Sequence, residues 1–351
     1  MKNNLVVTLA NKRYIEQAKQ VFSSLYFNAA WRGDYMLLAY QVPQKDLTWF
    51  LKRGIIVKKC EKMFTYSELQ KLYQQKNVFA KRNNERVHSL EYVSVVINKL
   101  YLFTEEFKQW RRVIYIDADM MVKASLDGLV NINGFAAVED MLGPKFKQHF
   151  SIKDNALLWN LKQTFNFDES AFNDGLFVFS TDIIKKETFD TLKELFKKYY
   201  LVTRCVEQSI LNVFFYKKWH PLSIGYNAFR DIVGENHGEI VLHYAGKVKP
   251  SENNSTRFGA WVNSLKKADA IYSVNVANGE FKKYRPYQIR INSLALALIL
   301  RRQRMKNLIF SLVKNFSAVI TQTTDANLGK IGIILKAKLP KTYYFIKKMK
   351  K

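Results

Sequence analysis

The sequence predicts an α/β fold in which a mostly parallel sheet carries helices on its faces. Three observations lead there. Short β-favouring apolar runs alternate with segments whose apolar residues recur at helical spacing, the pattern of parallel strands joined by crossover helices. One run, Val113–Ile116, is unbroken, as in a central strand buried on both faces. The chain of 351 residues is 48% hydrophobic and 14% aromatic, enough for a sizeable core and too much for a disordered chain.

The elements follow in order. Leu5–Ala10 (LVVTLA) is the first strand. It is too short for a signal h-region or a membrane span. From Tyr14 to Phe27, the residues Ile15, Ala18, Val21, Phe22 and Leu25 share a helical face. Met36–Tyr40 and Ile55–Val57 are further strands. Tyr92–Phe107 reads as one helix, with Val96, Leu100, Phe103 and Phe107 in a stripe. Lys99 falls on that stripe. It either snorkels to the edge or reaches an anion at the end of the sheet. Phe135–Val138, Leu176–Ser180 and Ile240–His243 are later strands, and helices fill 182–200 and 207–216. The polar stretch 251–256 (SENNST) ends the core fold. The domains so read are a core over 1–255, a connecting region over 256–284 and a basic tail over 285–351.

Charge is uneven. The net charge is +26, and residues 282–351 hold 17 of the 56 Lys and Arg but one of the 30 acids, Asp325. This concentration points to a polyanionic partner, either anionic lipid or nucleic acid. Between 285 and 320, Leu294, Leu298, Ile309, Leu312 and Phe316 interleave with Arg301, Arg302, Arg304 and Lys306. Such a basic amphipathic helix is expected to lie on an anionic membrane. Each Lys or Arg near that surface adds about 1 kcal/mol. The competing expectation is a tail that caps the core or forms an oligomer interface. No nucleic-acid recognition module accompanies the charge, so specific nucleic-acid binding is not expected. The two cysteines, Cys60 and Cys205, fit a reducing compartment without a disulfide framework. The expected location is cytoplasmic, peripherally attached to the inner face of the membrane. The oligomeric state is left open.

Four clusters carry chemistry. Val113–Ile116 ends in Asp117-Ala118-Asp119. Carboxylates two apart in extended chain point the same way, and this end of a parallel sheet is where ligands bind. Such a pair suits Mg²⁺ or Mn²⁺, although a lone triplet of this kind is equally a solvated turn. His243 ends an apolar strand and opens His243-Tyr244-Ala245-Gly246-Lys247-Val248-Lys249-Pro250. Gly246 permits close backbone approach and the lysines suit a diphosphate; the plain alternatives are a core histidine and a basic turn. Phe172-Asn173-Asp174-Gly175 reads as a turn before a strand, or as a polar lip at its edge. Glu207-Gln208 opens a helix, where an acid is either a partner of the helix dipole or a ligand-facing group.

In their order and spacing these motifs resemble glycosyltransferase family 8, the group that includes glycogenin and bacterial lipooligosaccharide galactosyltransferases. The resemblance runs from about Leu5 to Pro250. It rests on Thr8-Leu9-Ala10 with Tyr14, Asn98-Lys99-Leu100, Ile114-Tyr115-Ile116-Asp117-Ala118-Asp119, Phe172–Gly175, Glu207-Gln208-Ser209-Ile210-Leu211-Asn212, and His243–Pro250. It implies a GT-A, Rossmann-like fold over 1–255, a UDP-sugar donor and Mn²⁺, with Mg²⁺ as the alternative ion. By position, Asp117, Asp119 and His243 bind the metal. Thr8, Ala10 and Tyr14 hold uridine, with Ala118 and Lys99 beside the donor. Gly246 and Lys249 hold the diphosphate. Asp140, Asn173, Gly175, Glu207 and Gln208 line the sugar site, with Gln208, Glu207 and Asp174 as catalytic candidates.

The implied reaction is retaining transfer of a hexose, from UDP-glucose or UDP-galactose foremost, to a hydroxyl of a glycan or lipid-linked saccharide. Cell-surface polysaccharide or lipopolysaccharide synthesis is the implied setting. The chain departs from the family pattern at Asp174, where Ser or Ala is usual, at Glu207, where Asp is usual, and at Ser251, where Trp is usual. The first two touch the sugar pocket and leave the donor sugar open. The competing classes are a basic nucleic-acid-binding or scaffold protein on a GT-A-like fold, and a nucleotidyltransferase. The last would show a Gly-rich phosphate loop, and Thr8–Tyr14 contains no glycine.

Overall fold

A computed structural model describes residues 4–60, 63–151, 156–245, 250, 258–275, 285–292 and 294–306. Residues 1–296 form one compact unit. The second unit is Ala297–Lys351, of which 297–306 are described and helical.

The chain begins with β1 (Leu5–Ala10), α1 (Ile15–Phe27), β2 (Asp34–Ala39), α2 (Gln44–Lys52) and β3 (Ile56–Lys59). It continues through α3 (Tyr66–Asn83), α4 (Leu90–Val96), β4 (Arg112–Ile116), β5 (Met120–Val122) and β6 (Phe135–Glu139). Next come α5 (Ala156–Thr164), β7 (Phe172–Ser180), α6 (Thr188–Tyr199), α7 (Val206–Phe214) and β8 (Trp219–Leu222). The last are β9 (Ala228–Phe229), α8 (Arg230–Val233), β10 (Val241–His243) and α9 (Gly259–Lys266).

Seven strands form the main sheet in the order β3-β2-β1-β4-β7-β6-β8, and β5-β10-β9 form a small second sheet. In the main sheet β7 runs antiparallel to both its neighbours, and the other pairings are parallel. Period-two alternation divides the core. Leu5, Val7, Leu9, Val113 and Tyr115 face one apolar cluster, and Val6, Ala10, Ile114 and Ile116 face the other. Helix α1 covers the second face through Ala18, Val21, Phe22 and Leu25. Both faces are thus buried, which is why these strands read as unbroken apolar runs.

Three readings are corrected. The single helix expected over 92–107 is α4 followed by two 3₁₀ segments, Ile97–Phe103 and Glu105–Gln109. The Asn98 side chain donates to the carbonyls of Ser94 (2.7 Å) and Val95 (3.0 Å), occupying acceptors that a continued α-helix needs. The period of three then stacks Ile97, Leu100 and Phe103, all buried. Second, Asn173-Asp174-Gly175 is not a turn before a strand but part of β7. Phe177 pairs with Ala137 while Asn173 pairs with Val138, so β7 bulges away from β6 between them. The bulge swings this segment towards β4, where Asp117 N donates to the Gly175 carbonyl at 2.8 Å. Third, the helix expected over 182–200 starts at Thr188, after a 3₁₀ turn over Thr181–Ile183.

Helices α2 and α3 and the short strands β5, β8 and β9 were not legible as periodic patterns. Past residue 255, α9 packs on α1, with Ser23 Oγ donating to the Ser264 carbonyl at 2.5 Å. No described helix is long and apolar enough to cross a membrane.

Candidate active site

The strand ends of β1 and β4 open onto a cleft of about 670 Å³. Ala10 and Tyr14 line it at the end of β1, and Asp117, Ala118 and Asp119 at the end of β4. A cleft at this edge of a parallel sheet is where open α/β folds bind ligands.

The pairing of β5 with β10 brings His243 to the end of β4, beside the two aspartates. Met120 lies opposite His243 in that antiparallel ladder, and Tyr244 N donates to the Asp119 carbonyl at 3.0 Å. His243 Nε2 therefore sits 3.3 Å from Asp119 Oδ1. Ligand atoms of Asp117, Asp119 and His243 all lie within 4.8 Å of one another. Two carboxylates and an imidazole at this separation fit a divalent ion such as Mn²⁺. Gly175 makes room for them: a Cβ there would stand 2.7 Å from His243 Cε1.

A chain of side-chain amides orients His243. It starts at Asp140, an acceptor whose Oδ1 takes the N–H groups of Leu142 (2.8 Å) and Gly143 (2.9 Å). Gln208 Nε2 donates to Asp140 Oδ2 at 2.8 Å, which turns Gln208 Oε1 towards Asn173 Nδ2 at 3.0 Å. Asn173 Oδ1 accepts from Asn227 Nδ2 at 2.7 Å, and Asn227 Oδ1 meets His243 Nδ1 at 2.8 Å. Two backbone donors lock the direction: Asp174 N reaches Gln208 Oε1 at 3.3 Å, and Gly175 N reaches Asn173 Oδ1 at 3.0 Å. With every amide so oriented, Nδ1 is the nitrogen that His243 turns to Asn227, and Nε2 is the one that faces Asp119.

Lys99 ties the metal ligands to the next part of the cleft. Its Nζ lies 3.1 Å from Asp117 Oδ1, 3.2 Å from Asp174 Oδ2 and 3.2 Å from Glu207 Oε1. It is buried and does not snorkel. Burial pushes its pKa down, but Asp117 and Asp174 overcome that and hold it well above the ordinary lysine range. Burial raises the Asp117 carboxyl, against the lowering pull of Lys99. Burial and the neighbouring Asp174 push Glu207 well above the usual carboxylate range. Tyr115 donates its hydroxyl to Asp117 Oδ1 at 2.7 Å.

Most residues singled out from the sequence converge here. Ala10, Tyr14, Lys99, Asp117, Ala118, Asp119, Asn173, Asp174, Glu207, Gln208 and His243 line the cleft. Asp140 and Gly175 support it from behind. Thr8 does not reach it: its side chain is fully buried in β1, two residues short of the strand's end. Gly246 and Lys249 lie outside the described residues. Sequence reasoning missed Asn227, which carries no motif, and His149, whose Nδ1 lies 3.3 Å from Gln208 Nε2. It also missed Arg13 and a rim pair, Tyr92 stacked on His88 at 4.6 Å. Arg13 stands beside Tyr14, and that adjacency is the signal that could have found it.

The family profile for glycosyl transferase family 8 matches residues 5–254. Glycosyltransferase GlyB of Streptococcus pneumoniae is 27% identical over 207 residues, covering 52% of this chain and 45% of that protein. Probable galacturonosyltransferase 9 of Arabidopsis thaliana is 24% identical over 216 residues, covering 52% of this chain and 35% of that protein. The chain thus spans less than half the length of these curated relatives.

Among solved structures, the galactosyltransferase LgtC, in complex with donor and acceptor sugar analogues, superposes with a TM-score of 0.53 at 15% identity. That match covers 76% of this chain and 95% of LgtC. GlyE of Streptococcus pneumoniae superposes with a TM-score of 0.51 at 18% identity, over 82% of this chain and 66% of GlyE. These likenesses bear on the fold, which is of the GT-A type. With the profile match spanning β1 to beyond His243, the chain belongs to glycosyl transferase family 8.

Proposed function

We propose that this chain is a retaining, Mn²⁺-dependent glycosyltransferase that moves a hexose from a UDP-sugar to a hydroxyl of a glycan or lipid-linked saccharide. The observation that carries this is the Asp117–Asp119–His243 group, with His243 Nε2 turned towards Asp119 by the amide chain. A divalent ion held there supplies Lewis-acid stabilisation of the departing diphosphate. The chain's own residues do the rest. Ala10 and Tyr14 hold the nucleoside at the end of β1, with the Tyr14 ring against the base. Lys99 keeps Asp117 in place beside the sugar-side carboxylates. Gly246 and Lys249 are assigned to the diphosphate by their position in the sequence.

The state of Gln208 favours front-face displacement over a covalent intermediate. Its Nε2 donates to Asp140, and its Oε1 accepts from both Asn173 and Asp174. An amide oxygen so committed is a poor nucleophile. The acceptor hydroxyl then attacks from the face that the diphosphate leaves. Among the relatives, one name specifies galactose and another galacturonate, so neutral hexoses and uronates are the two donor classes to separate. The experiment is UDP release from a panel of UDP-sugars with Mn²⁺ and no acceptor. Slow, Mn²⁺-dependent hydrolysis of one donor is expected. A protein that binds no UDP in the presence of Mn²⁺ contradicts the proposal.

We further propose that the basic C-terminal segment engages an anionic membrane, which places the enzyme beside lipid-linked acceptors at the inner face. Support comes from its charge and from the described helical stretch 294–306. Leu294, Leu298 and Met305 are exposed there, with Arg301 and Arg302 exposed beside them. Residues 307–351, where the sequence places the rest of the amphipathic pattern, lie outside the described residues. The full chain should float with anionic vesicles, and less so after Arg301→Glu with Arg302→Glu. Equal flotation with neutral vesicles contradicts it.

A further inference from the structure

Four contacts hold the Gln208 carboxamide. Its Oε1 accepts from Asn173 Nδ2 and Asp174 N, and its Nε2 donates to Asp140 Oδ2 at 2.8 Å. The fourth partner is a histidine: His149 Nδ1 lies 3.3 Å from the same Nε2. A primary amide carries two N–H donors, so Asp140 and His149 take one each. His149 ends a short 3₁₀ segment, Phe146–His149, and is 1% exposed. Its carbonyl accepts from Arg204 N at 2.8 Å and from Ser209 Oγ at 2.8 Å. Ser209 stands in the first turn of α7, the helix that carries Gln208. Backbone contacts therefore fix the histidine relative to the glutamine.

The partners also assign the ring nitrogens. His149 Nε2 lies 2.8 Å from the Gly143 carbonyl, and a carbonyl only accepts, so Nε2 donates there. An amide nitrogen only donates, so Nδ1 accepts from Gln208. Gly143 N in turn donates to Asp140 Oδ1 at 2.9 Å, which closes a loop of contacts through His149, Gly143, Asp140 and Gln208. Turning Gln208 end for end would set its oxygen against two acceptors, Asp140 and His149, and its nitrogen against the Asp174 N–H. Buried groups left unpaired in this way are costly, so the loop admits one orientation.

We infer that His149 is a positioning residue for the transfer reaction: its Nδ1 takes the second amide proton of Gln208 and so keeps the Gln208 oxygen turned to Asn173 and Asp174. The inference rests on the glycosyltransferase reading above and adds to it a residue that does not itself line the cleft. Gln208 and Asn173 do line it, and Asn173 Oδ1 leads on through Asn227 to His243. A Gln208 free to turn would loosen that chain from its start. Misplaced groups around a reacting centre cost turnover more than ground-state binding.

Two substitutions separate this role from a structural one, because each keeps one of the two ring contacts. His149→Asn puts an oxygen near the Nδ1 position and can still accept from Gln208. His149→Gln puts an amide near the Nε2 position and can still donate to Gly143. The measurement is UDP release by the full chain with Mn²⁺ from UDP-glucose, UDP-galactose, UDP-glucuronate and UDP-galacturonate, followed on the donor that wild type hydrolyses. His149→Asn should keep kcat within about three-fold of wild type, and His149→Gln should lower it about ten-fold or more. UDP affinity should stay within about two-fold of wild type in both. Equal rates in the two variants, or the reverse order, overturn the inference, since a residue that merely braces the 140–143 loop is rescued by Gln and not by Asn. Should either variant fail to fold, nuclear magnetic resonance of the ¹⁵N-labelled wild type decides. The His149 ring, assigned by its contacts with Gly143 and Gln208, should carry its proton on Nε2, and a proton on Nδ1 overturns the inference. A wild type that releases UDP from none of these donors overturns the wider reading and this inference with it.

Discussion

The two ends of the cleft differ in how far their polar groups are committed. At the metal end, Asp117 is held by Tyr115, Lys99 and the Gly175 carbonyl, and His243 is held by four linked side chains reaching back to Asp140. At the other end, Glu207 Oε2 and Asp174 Oδ2 are buried without a hydrogen bond, and Lys99 pairs with both residues. The first end holds three groups that could bind a divalent ion within 4.8 Å of one another. The second holds two carboxylates against one shared cation, Lys99.

The largest effect should come from breaking the committed end. Asp119→Ala removes a ligand and should lower Mn²⁺-dependent UDP release by about 10²–10³-fold or more, measured against wild type at saturating donor. A rate near wild type would dissolve the distinction between the ends. Next is the tie between them. Lys99→Met strands two buried carboxylates, Asp174 and Glu207, and the part-buried Asp117, and should destabilise the fold by about 3–5 kcal/mol in denaturant unfolding. Adding Glu207→Gln should recover part of that loss, and no recovery would mean that the two ends are not coupled through Lys99.

Smaller effects sharpen the picture. Asn227→Leu removes the partner of His243 Nδ1 and should weaken Mn²⁺ binding about 10–100-fold, with metal-free stability nearly kept. Gly175→Ala presses a methyl group towards the His243 ring and should weaken the metal by a similar or lesser factor. Unchanged Mn²⁺ affinity in both would show that the amide chain does not position the histidine. Smallest is the gain from the ion itself. At 100 times its Kd, Mn²⁺ should stabilise wild type by about 2.7 kcal/mol, read as a rise in Tm, and should stabilise Asp119→Ala by no more than about half as much at the same concentration.

The committed end was also the more legible in sequence. Asp117 and Asp119 close an unbroken apolar strand, and His243 closes another, so strand pattern alone brought them to sheet edges. Their convergence was carried by motif order, because the ladder between β5 and β10 involves strands of three residues each, too short to show a period. Asn227 was illegible for a related reason: it stands between a 3₁₀ turn and a two-residue strand, and its partners lie 54 and 16 residues away.

At the sugar end, Asn-Asp-Gly has the composition of a turn, and only pairing with β6 and β4 on either side makes it a bulged strand. For Lys99, period alone leaves the snorkel and the anion contact both open, because it carries no information about the carboxylates around it. Helices α2 and α3 escaped because few of their residues are buried: Leu47 and Phe50 in one, Leu69, Lys76 and Ala80 in the other.

The most direct test of the metal end is calorimetric Mn²⁺ binding in the presence of UDP to wild type and to Asp117→Ala, Asp119→Ala and His243→Ala. One bound ion is predicted for wild type, with each substitution weakening it by at least about ten-fold. Wild-type affinity in all three folded variants would contradict the assignment and, with it, the division of the cleft into a committed end and an open one.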